Sequence, residues 1–344
     1  MDGRGERLVA GFSGPCETAF TVQPDTGTGQ PDAGRQAGPI GVIGLGVMGS
    51  AVANLLIAGG AQVWGHDISA ERQERFVAAG GHGARSAAGV AQRTAVVLTS
   101  LPTASALAAV VGGPGGLASA GPSGARLVIE MSTLSLADKQ AARDALAPGG
   151  VTLADVPLSG TGAQARSGDL VAFVSADDGA ARAAALAVTR LFTRAQYDVG
   201  AFGNGSRFKY VANLLVAVHN VAAAEALVLA ERAGLDLDHV LAAVGDGAGT
   251  SRMLQLRGPL MAGREYSGAT VRLEVFLKDV ELIGNFAAEV GAPAPLLEAS
   301  RAIYLAALAD GRASEDTACV AEVLRAGARP PGDGARPPGS EAGP

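Results

Sequence analysis

The chain has 344 residues, of which 48% are hydrophobic and 17% charged; that length points to two domains and that much apolar surface excludes a wholly disordered chain. A formal net charge of −6 argues against an electrostatic nucleic-acid binder. Two cysteines, Cys16 and Cys319, exclude a disulfide framework, and the histidines His66, His82, His219 and His239 show no metal-ligand spacing.

In chain order, residues 1–37 are rich in Gly, Pro, Asp and Thr without a sustained period, and an irregular tail is expected there. The opening stretch carries Asp2 and Glu6 and lacks an apolar core of signal-peptide length, so a cytoplasmic protein is expected. From Pro39 the pattern alternates. Ile40–Ile43 is an apolar run followed by a glycine turn and a helical stretch to Ala58. Gln62–Gly65 reads as a second strand and Ala70–Ala79 as a second helix. Further apolar runs stand at Ala95–Thr99, Leu127–Glu130, Val151–Ala154 and Leu170–Ser175. Strands alternating with helices predict an α/β, Rossmann-type doubly wound parallel sheet over 38–200.

After Gly205 the pattern becomes helical, with segments near 206–233, 236–245, 272–290 and 295–309, so an all-α domain is expected over 201–326. Val211–Ala230 has the apolarity of a membrane span but contains His219, Asn220 and Glu225; a buried helix and no membrane contact are expected. Residues 327–344 repeat Pro and Gly and predict a second irregular tail.

The turn after the first strand reads Gly44-Leu45-Gly46-Val47-Met48-Gly49. A GxGxxG is weak by itself, but here a strand precedes it and a helix follows. Gly44 permits the tight turn, Gly46 lets a pyrophosphate approach the backbone, and Gly49 lets the helix pack on the strand. The anion would sit on free N–H groups at the helix start. Asp67, at the end of the second strand and 18 residues after Gly49, is placed to bind a ribose 2′-hydroxyl. It would repel a 2′-phosphate, and no Arg follows immediately, so NAD is expected over NADP. The alternative is a turn Asp that caps the next helix.

Ligands of such sheets bind beyond the carboxyl ends of the strands. Three of those ends carry Leu101-Pro102-Thr103, Met131-Ser132-Thr133 and Asp155-Val156-Pro157-Leu158-Ser159-Gly160-Thr161-Gly162. Their hydroxyls and glycine N–H groups suit a carboxylate or carbonyl, although ordinary helix capping uses the same residue types.

Of 27 basic residues only Lys139, Lys209 and Lys278 are lysine. Arginine stays protonated, whereas a desolvated lysine gives up its proton, so each lysine marks a position worth weighing. Lys139 lies in a polar helix (LADKQAARDAL) and is expected to be solvated. Lys209 and Asn213 are i and i+4 on one helix face, and Asn220 returns to the same line. A polar line on an apolar helix implies a cavity or a partner, and burial would make Lys209 a usable acid or base; snorkelling at the helix start is the alternative. Lys278, in VFLKDV, reads from pattern alone as an exposed residue of an amphipathic helix.

Taken together, these segments resemble the β-hydroxyacid dehydrogenase family over about residues 39–325. GLGVMG looks like the family's cofactor loop, MSTLS its SST segment, DVPLSGTGA its substrate segment, GNGSRFKYVAN its catalytic segment and FLKD its KD segment. The resemblance implies Lys209 as catalytic acid–base. It implies Asn213, Ser159, Gly160, Thr161, Ser132 and Thr133 around a small hydroxy acid. Gly44 through Gly49, Asp67, Leu101, Pro102, Thr133 and Lys278 would hold the cofactor. It also implies a homodimer or homotetramer built on the long helix. Thr161 replaces the second Gly of the family's SGG, Leu158 replaces Val, and Ala212 leaves Asn213 alone where many members have two Asn. WGHD, LLVAVHNVAA and VFLKD look closest to L-threonate-dehydrogenase-type members. The expected activity is oxidation of a small 3-hydroxy acid to its semialdehyde or keto acid, or the reverse. Alternatives on the same fold are an imine reductase, a 6-phosphogluconate-type dehydrogenase and a non-catalytic dinucleotide-binding protein.

Overall fold

The computed structural model describes residues 38–121, 124–269 and 271–327. The tails expected at 1–37 and 327–344 lie outside that range, as does Cys16; Gly327 is the exception and closes the last helix. Strand β1 (Ile40–Ile43) is buried at all four positions, as a strand covered on both faces requires. It leads through α1 (Val47–Ala58), β2 (Val63–His66), α2 (Ala70–Ala78), β3 (His82–Gly83), α3 (Ala87–Ala91), β4 (Val96–Thr99) and α4 (Ala104–Gly112) to β5 (Leu127–Glu130), α5 (Leu136–Leu146) and β6 (Thr152–Asp155). The sheet order is β3-β2-β1-β4-β5-β6, all pairs parallel. This is the doubly wound arrangement, with its switch point between β1 and β4.

Most helix starts are specified by a capping side chain. Ser69, Ser86, Thr103 and Ser135 each accept a backbone N–H from the following turn. Helix α1 differs: its N-cap is Gly46, with no side-chain cap and no acidic residue in the first turn. Its leading N–H groups are left for something else.

The apolar run expected at 170–175 belongs to a second sheet rather than to the first. After β6 come β7 (Leu158–Ser159), α6 (Gly162–Arg166), β8 (Val171–Val174), α7 (Gly179–Thr189) and β9 (Ala195–Asp198). Strand β8 is central, antiparallel to β7 and parallel to β9. Only Val156 and Pro157 separate β6 from β7, which is too short for a parallel crossover, and Pro157 has no N–H to continue a ladder.

The rest is helical: α8 (Asn204–Arg232), α9 (Leu237–Asp246), α10 (Arg252–Gly263), α11 (Leu273–Glu289), α12 (Pro295–Ala309) and α13 (Val320–Gly327). Helices α10 and α13 were not in the expected pattern; Pro259 lies inside α10 and blurs its helical signal. Helix α8 is the axis of this part, packed by α10, α11, α12 and α13. Among the described residues it is the one helix long and apolar enough to cross a membrane, but Ala217, Ala224 and Leu227 on it are buried with Phe276 and Tyr304 in a protein core. Asn220 belongs to that core. Its Nδ2 donates to the Tyr304 hydroxyl and to the Thr317 carbonyl, both at 2.9 Å.

Candidate active site

The cofactor loop leaves β1 at Gly44, whose φ of +86° is the left-handed region that glycine tolerates. A Cβ there would also strike the Ser100 carbonyl at 2.2 Å, and one on Gly49 would lie 1.9 Å from the Gly44 carbonyl. Helix α1 therefore crosses the strand end at a distance only glycine allows. Gly46 is different, because a Cβ on it would meet nothing within 4 Å. Its free side opens beside the uncapped start of α1, where a pyrophosphate needs space and N–H donors. Leu45 and Val47 complete the loop, with Leu45 buried and Val47 exposed.

Asp67 closes β2. Its Oδ2 accepts the Leu45 N–H at 2.7 Å and its Oδ1 accepts the Ser69 N–H at 2.8 Å, so the acid also braces the glycine loop. The first turn of α2 brings Arg72 to 3.6 Å from Asp67. Inspection of the residues next to Asp67 in sequence misses this arginine, which one helical turn folds back. The residues present thus fit a dinucleotide: an open Gly46, an uncapped helix start and a carboxylate beside the loop.

Below the loop a cavity of about 830 Å³ runs between the sheet ends and the helical part. Its walls include Met48, Leu101, Pro102, Ser132, Thr133, Ser159, Gly160 and Thr161 from one side and Lys209, Asn213 and Lys278 from the other. All the substrate-segment and catalytic-segment residues picked out in the sequence therefore share one cavity. Gly44, Leu45, Gly46, Val47, Gly49 and Asp67 are not part of that wall.

Several of these side chains already have partners. The Ser132 hydroxyl accepts the Leu101 N–H at 2.8 Å, which ties two loops together and leaves its own proton to donate. Thr161 caps α6 in a capping box with Gln164, so its hydroxyl is committed to the fold as well as lining the cavity. Gln164 continues to Asp169, which also meets Arg194 at 2.8 Å. These three residues line the cavity without having been singled out in the sequence.

Lys209 and Asn213 project from α8 into the cavity, both buried. Among the described residues no hydrogen bond or ion pair holds the Lys209 ammonium. Burial pushes its pKa down, the Asp279 carboxylate partly opposes this, and Lys278 adds to the depression; the result is about 8. Asp279 was legible only as part of the KD segment, yet it is central. Its Oδ2 accepts from Asn213 Nδ2 at 3.0 Å, and its Oδ1 lies 3.2 Å from the Lys278 ammonium without a hydrogen bond. Burial raises its pKa, against the pull of Lys278 and Lys209. Lys278 is partly exposed, as its pattern suggests, but it is not idle at the surface: its Nζ donates to the Thr133 carbonyl at 2.6 Å.

Lys139 overturns its expectation. It is fully buried rather than solvated. Its ammonium pairs with Glu130 and Asp155, each at 2.7 Å, and donates to the Ser132 carbonyl at 2.7 Å. The signal was present in the helix period: Lys139, Ala142 and Leu146 are the buried positions of α5, at i, i+3 and i+7.

Comparison with known proteins agrees with this geometry. Residues 39–200 match the NAD-binding domain of 6-phosphogluconate dehydrogenase, and residues 203–324 match the NAD-binding domain of NADP-dependent 3-hydroxyisobutyrate dehydrogenase. An L-threonate dehydrogenase of Cupriavidus necator is 35% identical, over 83% of this chain and 95% of that protein. A 2-(hydroxymethyl)glutarate dehydrogenase of Eubacterium barkeri is 30% identical, over 83% and 94%. A crystal structure of 3-hydroxyisobutyrate dehydrogenase from Salmonella typhimurium superposes with a TM-score of 0.74 at 28% identity, covering 83% of this chain and 99% of that one. The chain belongs to the β-hydroxyacid dehydrogenase family, NAD(P)-dependent oxidoreductases that act on CH–OH groups.

Proposed function

We propose that the protein interconverts a small 3-hydroxy acid and its semialdehyde or keto acid, with Lys209 as the general acid–base and NAD as the preferred cofactor. The observation that carries this reading is the Lys209 ammonium. It is buried at the cavity wall, unpaired among the described residues, and poised at about 8. A general base works best with a pKa near the operating pH.

In the oxidative direction neutral Lys209 takes the hydroxyl proton of the substrate; in the reductive direction its ammonium returns that proton to the forming alkoxide. A bound nicotinamide would supply the hydride acceptor in oxidation and the hydride donor in reduction. Asn213, its amide held by Asp279 Oδ2, orients the hydroxyl beside Lys209. Ser159, the Gly160 backbone, Ser132 and Thr133 hold the substrate carboxylate at the opposite wall. Gly46 and the uncapped start of α1 would hold the pyrophosphate, with Gly44 and Gly49 shaping the loop around it, and Leu101, Pro102 and Lys278 would line the cleft for the nicotinamide half. Asp67 takes the ribose hydroxyls, which favours NAD.

The substrates named for the relatives, L-threonate and 2-(hydroxymethyl)glutarate, set the class to try first. Exposed Phe208, Val211, Leu215 and Leu229 lie on one side of α8, and we assign that stripe to a second copy of the chain in a homodimer or homotetramer.

The test is a spectrophotometric panel at the NADH absorption band. L-threonate, D-glycerate, 3-hydroxyisobutyrate and 3-hydroxypropionate are offered with NAD and NADP, alongside Lys209→Ala. Turnover by the wild type and none by the variant, with NADH binding retained, is the expected result. Undiminished turnover by the variant refutes the role of Lys209.

A further inference from the structure

Lys139 lies behind the cavity wall and does not reach it. Its ammonium has three N–H donors, and three acceptors stand at 2.7 Å: the Ser132 carbonyl, Glu130 Oε2 and Asp155 Oδ1. The compact ammonium donates to the Ser132 carbonyl and Asp155 Oδ1 and meets Glu130 Oε2 as an ion pair without a hydrogen bond; a planar guanidinium fork does not fit three such converging oxygens. That accounts for a lysine here in a chain that otherwise writes arginine.

The same cluster reaches the site from two directions. Glu130 Oε1 accepts the Ser132 N–H at 2.9 Å, so the Ser132 residue is held at its N–H by Glu130 and at its carbonyl by Lys139. Asp155 accepts the Ser206 N–H at 2.7 Å and the Ser206 hydroxyl at 2.9 Å. Ser206 lies in the first turn of α8, three residues before Lys209. One buried ammonium thus joins the loop after β5, the end of β6 and the start of the helix that carries Lys209. Replacing such a cluster by apolar side chains is often neutral or stabilising, so fold stability alone does not account for three ionisable groups with no exposure.

We propose that Lys139 is a positioning residue for the reaction: it sets the Ser132–Thr133 loop against the first turn of α8, and so fixes the substrate's carboxylate site relative to Lys209. This rests on the reading of Lys209 as acid–base. A displacement of about 1 Å in such a constellation costs up to about a hundredfold in rate.

The test uses the full chain and two variants. Glu130→Gln with Lys139→Met removes the clamp while keeping the cluster's volume and its single net negative charge. Lys139→Arg keeps the charge and changes the shape. Rates with L-threonate and 3-hydroxyisobutyrate are measured per NADH-binding site across pH 6 to 10. Amide hydrogen exchange is followed in the protein without substrate. The double variant is expected to bind NADH within twofold of wild type, lose at least tenfold in kcat and raise KM for the hydroxy acid, with the pH midpoint still at about 8. Exchange should rise together over 132–134 and 204–209 and stay unchanged in α12. Lys139→Arg should lose kcat as well. Wild-type kcat and KM per binding site in either variant, or faster exchange in only one of the two segments, overturns the proposal. Turnover surviving in Lys209→Ala would instead refute the acid–base reading, so the two failures are distinct.

Discussion

If Lys209 is held down to about 8 by burial, it destabilises the fold at neutral pH, and the size of that cost follows from the shift. Its ordinary value is 10.5. In the unfolded chain the lysine stays protonated up to that pH, while in the folded chain it loses its proton near 8. Between the two the unfolded state binds more protons, so wild-type stability rises with pH across that window, by about 3 kcal/mol in total. Below about 8 the whole cost is present. Lys209→Met removes the titrating group at nearly constant volume. The variant should therefore be more stable than wild type at pH 7, and the gap should close by pH 10.5. The gain at pH 7 is smaller than about 3 kcal/mol, because Asp279 loses one of its two neighbouring cations and its own charge becomes costlier. Urea unfolding of both proteins at pH 7, 8, 9 and 10.5 reads the difference, and the titrating groups that do not interact with Lys209 cancel in the comparison. Turnover should be absent throughout and NADH binding retained. A stability difference that does not change with pH refutes the argument, because Lys209 would then be solvated or paired.

The pH dependence of turnover carries the same sign logic. Oxidation of the hydroxy acid, which needs neutral Lys209, should rise with pH through a midpoint at about 8, and reduction should fall through it; initial rates in both directions check this. Asp67→Ser should free Arg72 from its carboxylate partner and move the NADP-to-NAD preference in kcat/KM by about tenfold or more, measured with both cofactors. Leu215→Glu, placed in the exposed stripe of α8, should lower the molar mass seen by size-exclusion chromatography with light scattering while leaving the α-helical spectrum intact.

Much of the fold was legible because local signals agreed with one another. The continuous apolar run at Ile40–Ile43, the three glycines and the acid at position 67 each fixed a different part of one βαβ unit. The second sheet was not legible. Its strand β7 has two residues and β9 is partly exposed along its whole length, and their pairing depends on where the chain turns after Pro157, which no periodicity records. Within the site, Lys209 and Asn213 were visible as a polar line on an apolar helix, but the same line led on to Asn220, which serves the helical core. Spacing says that side chains share a face. It does not say what the face meets along its length. Asp279 was hidden for a related reason: it sits beside the buried stripe Phe276, Leu277, Val280 and Ile283 of α11, where a charge reads as the edge of the polar face.

Lys139 and Lys209 are both buried, and their pKa values move in opposite directions for one reason: the number and nearness of the carboxylates around each ammonium. Burial presses both downward. Around Lys139 two carboxylates at 2.7 Å more than reverse that pressure and hold the ammonium charged above the usual lysine range. Lys209 feels one carboxylate, Asp279, whose charge is shared with Lys278 and Asn213, and burial prevails. The same residue type is therefore held as a cation where three acceptors converge and, in the proposed reaction, gives up its proton where a substrate hydroxyl would enter. An arginine could not supply the mobile proton at the second position. A second carboxylate one helical turn from Lys209, as in Ala212→Asp on the cavity wall, should drive its midpoint back toward 10.5 and shift the oxidative pH profile upward. An unmoved profile in that variant would mean that Lys209 does not set it.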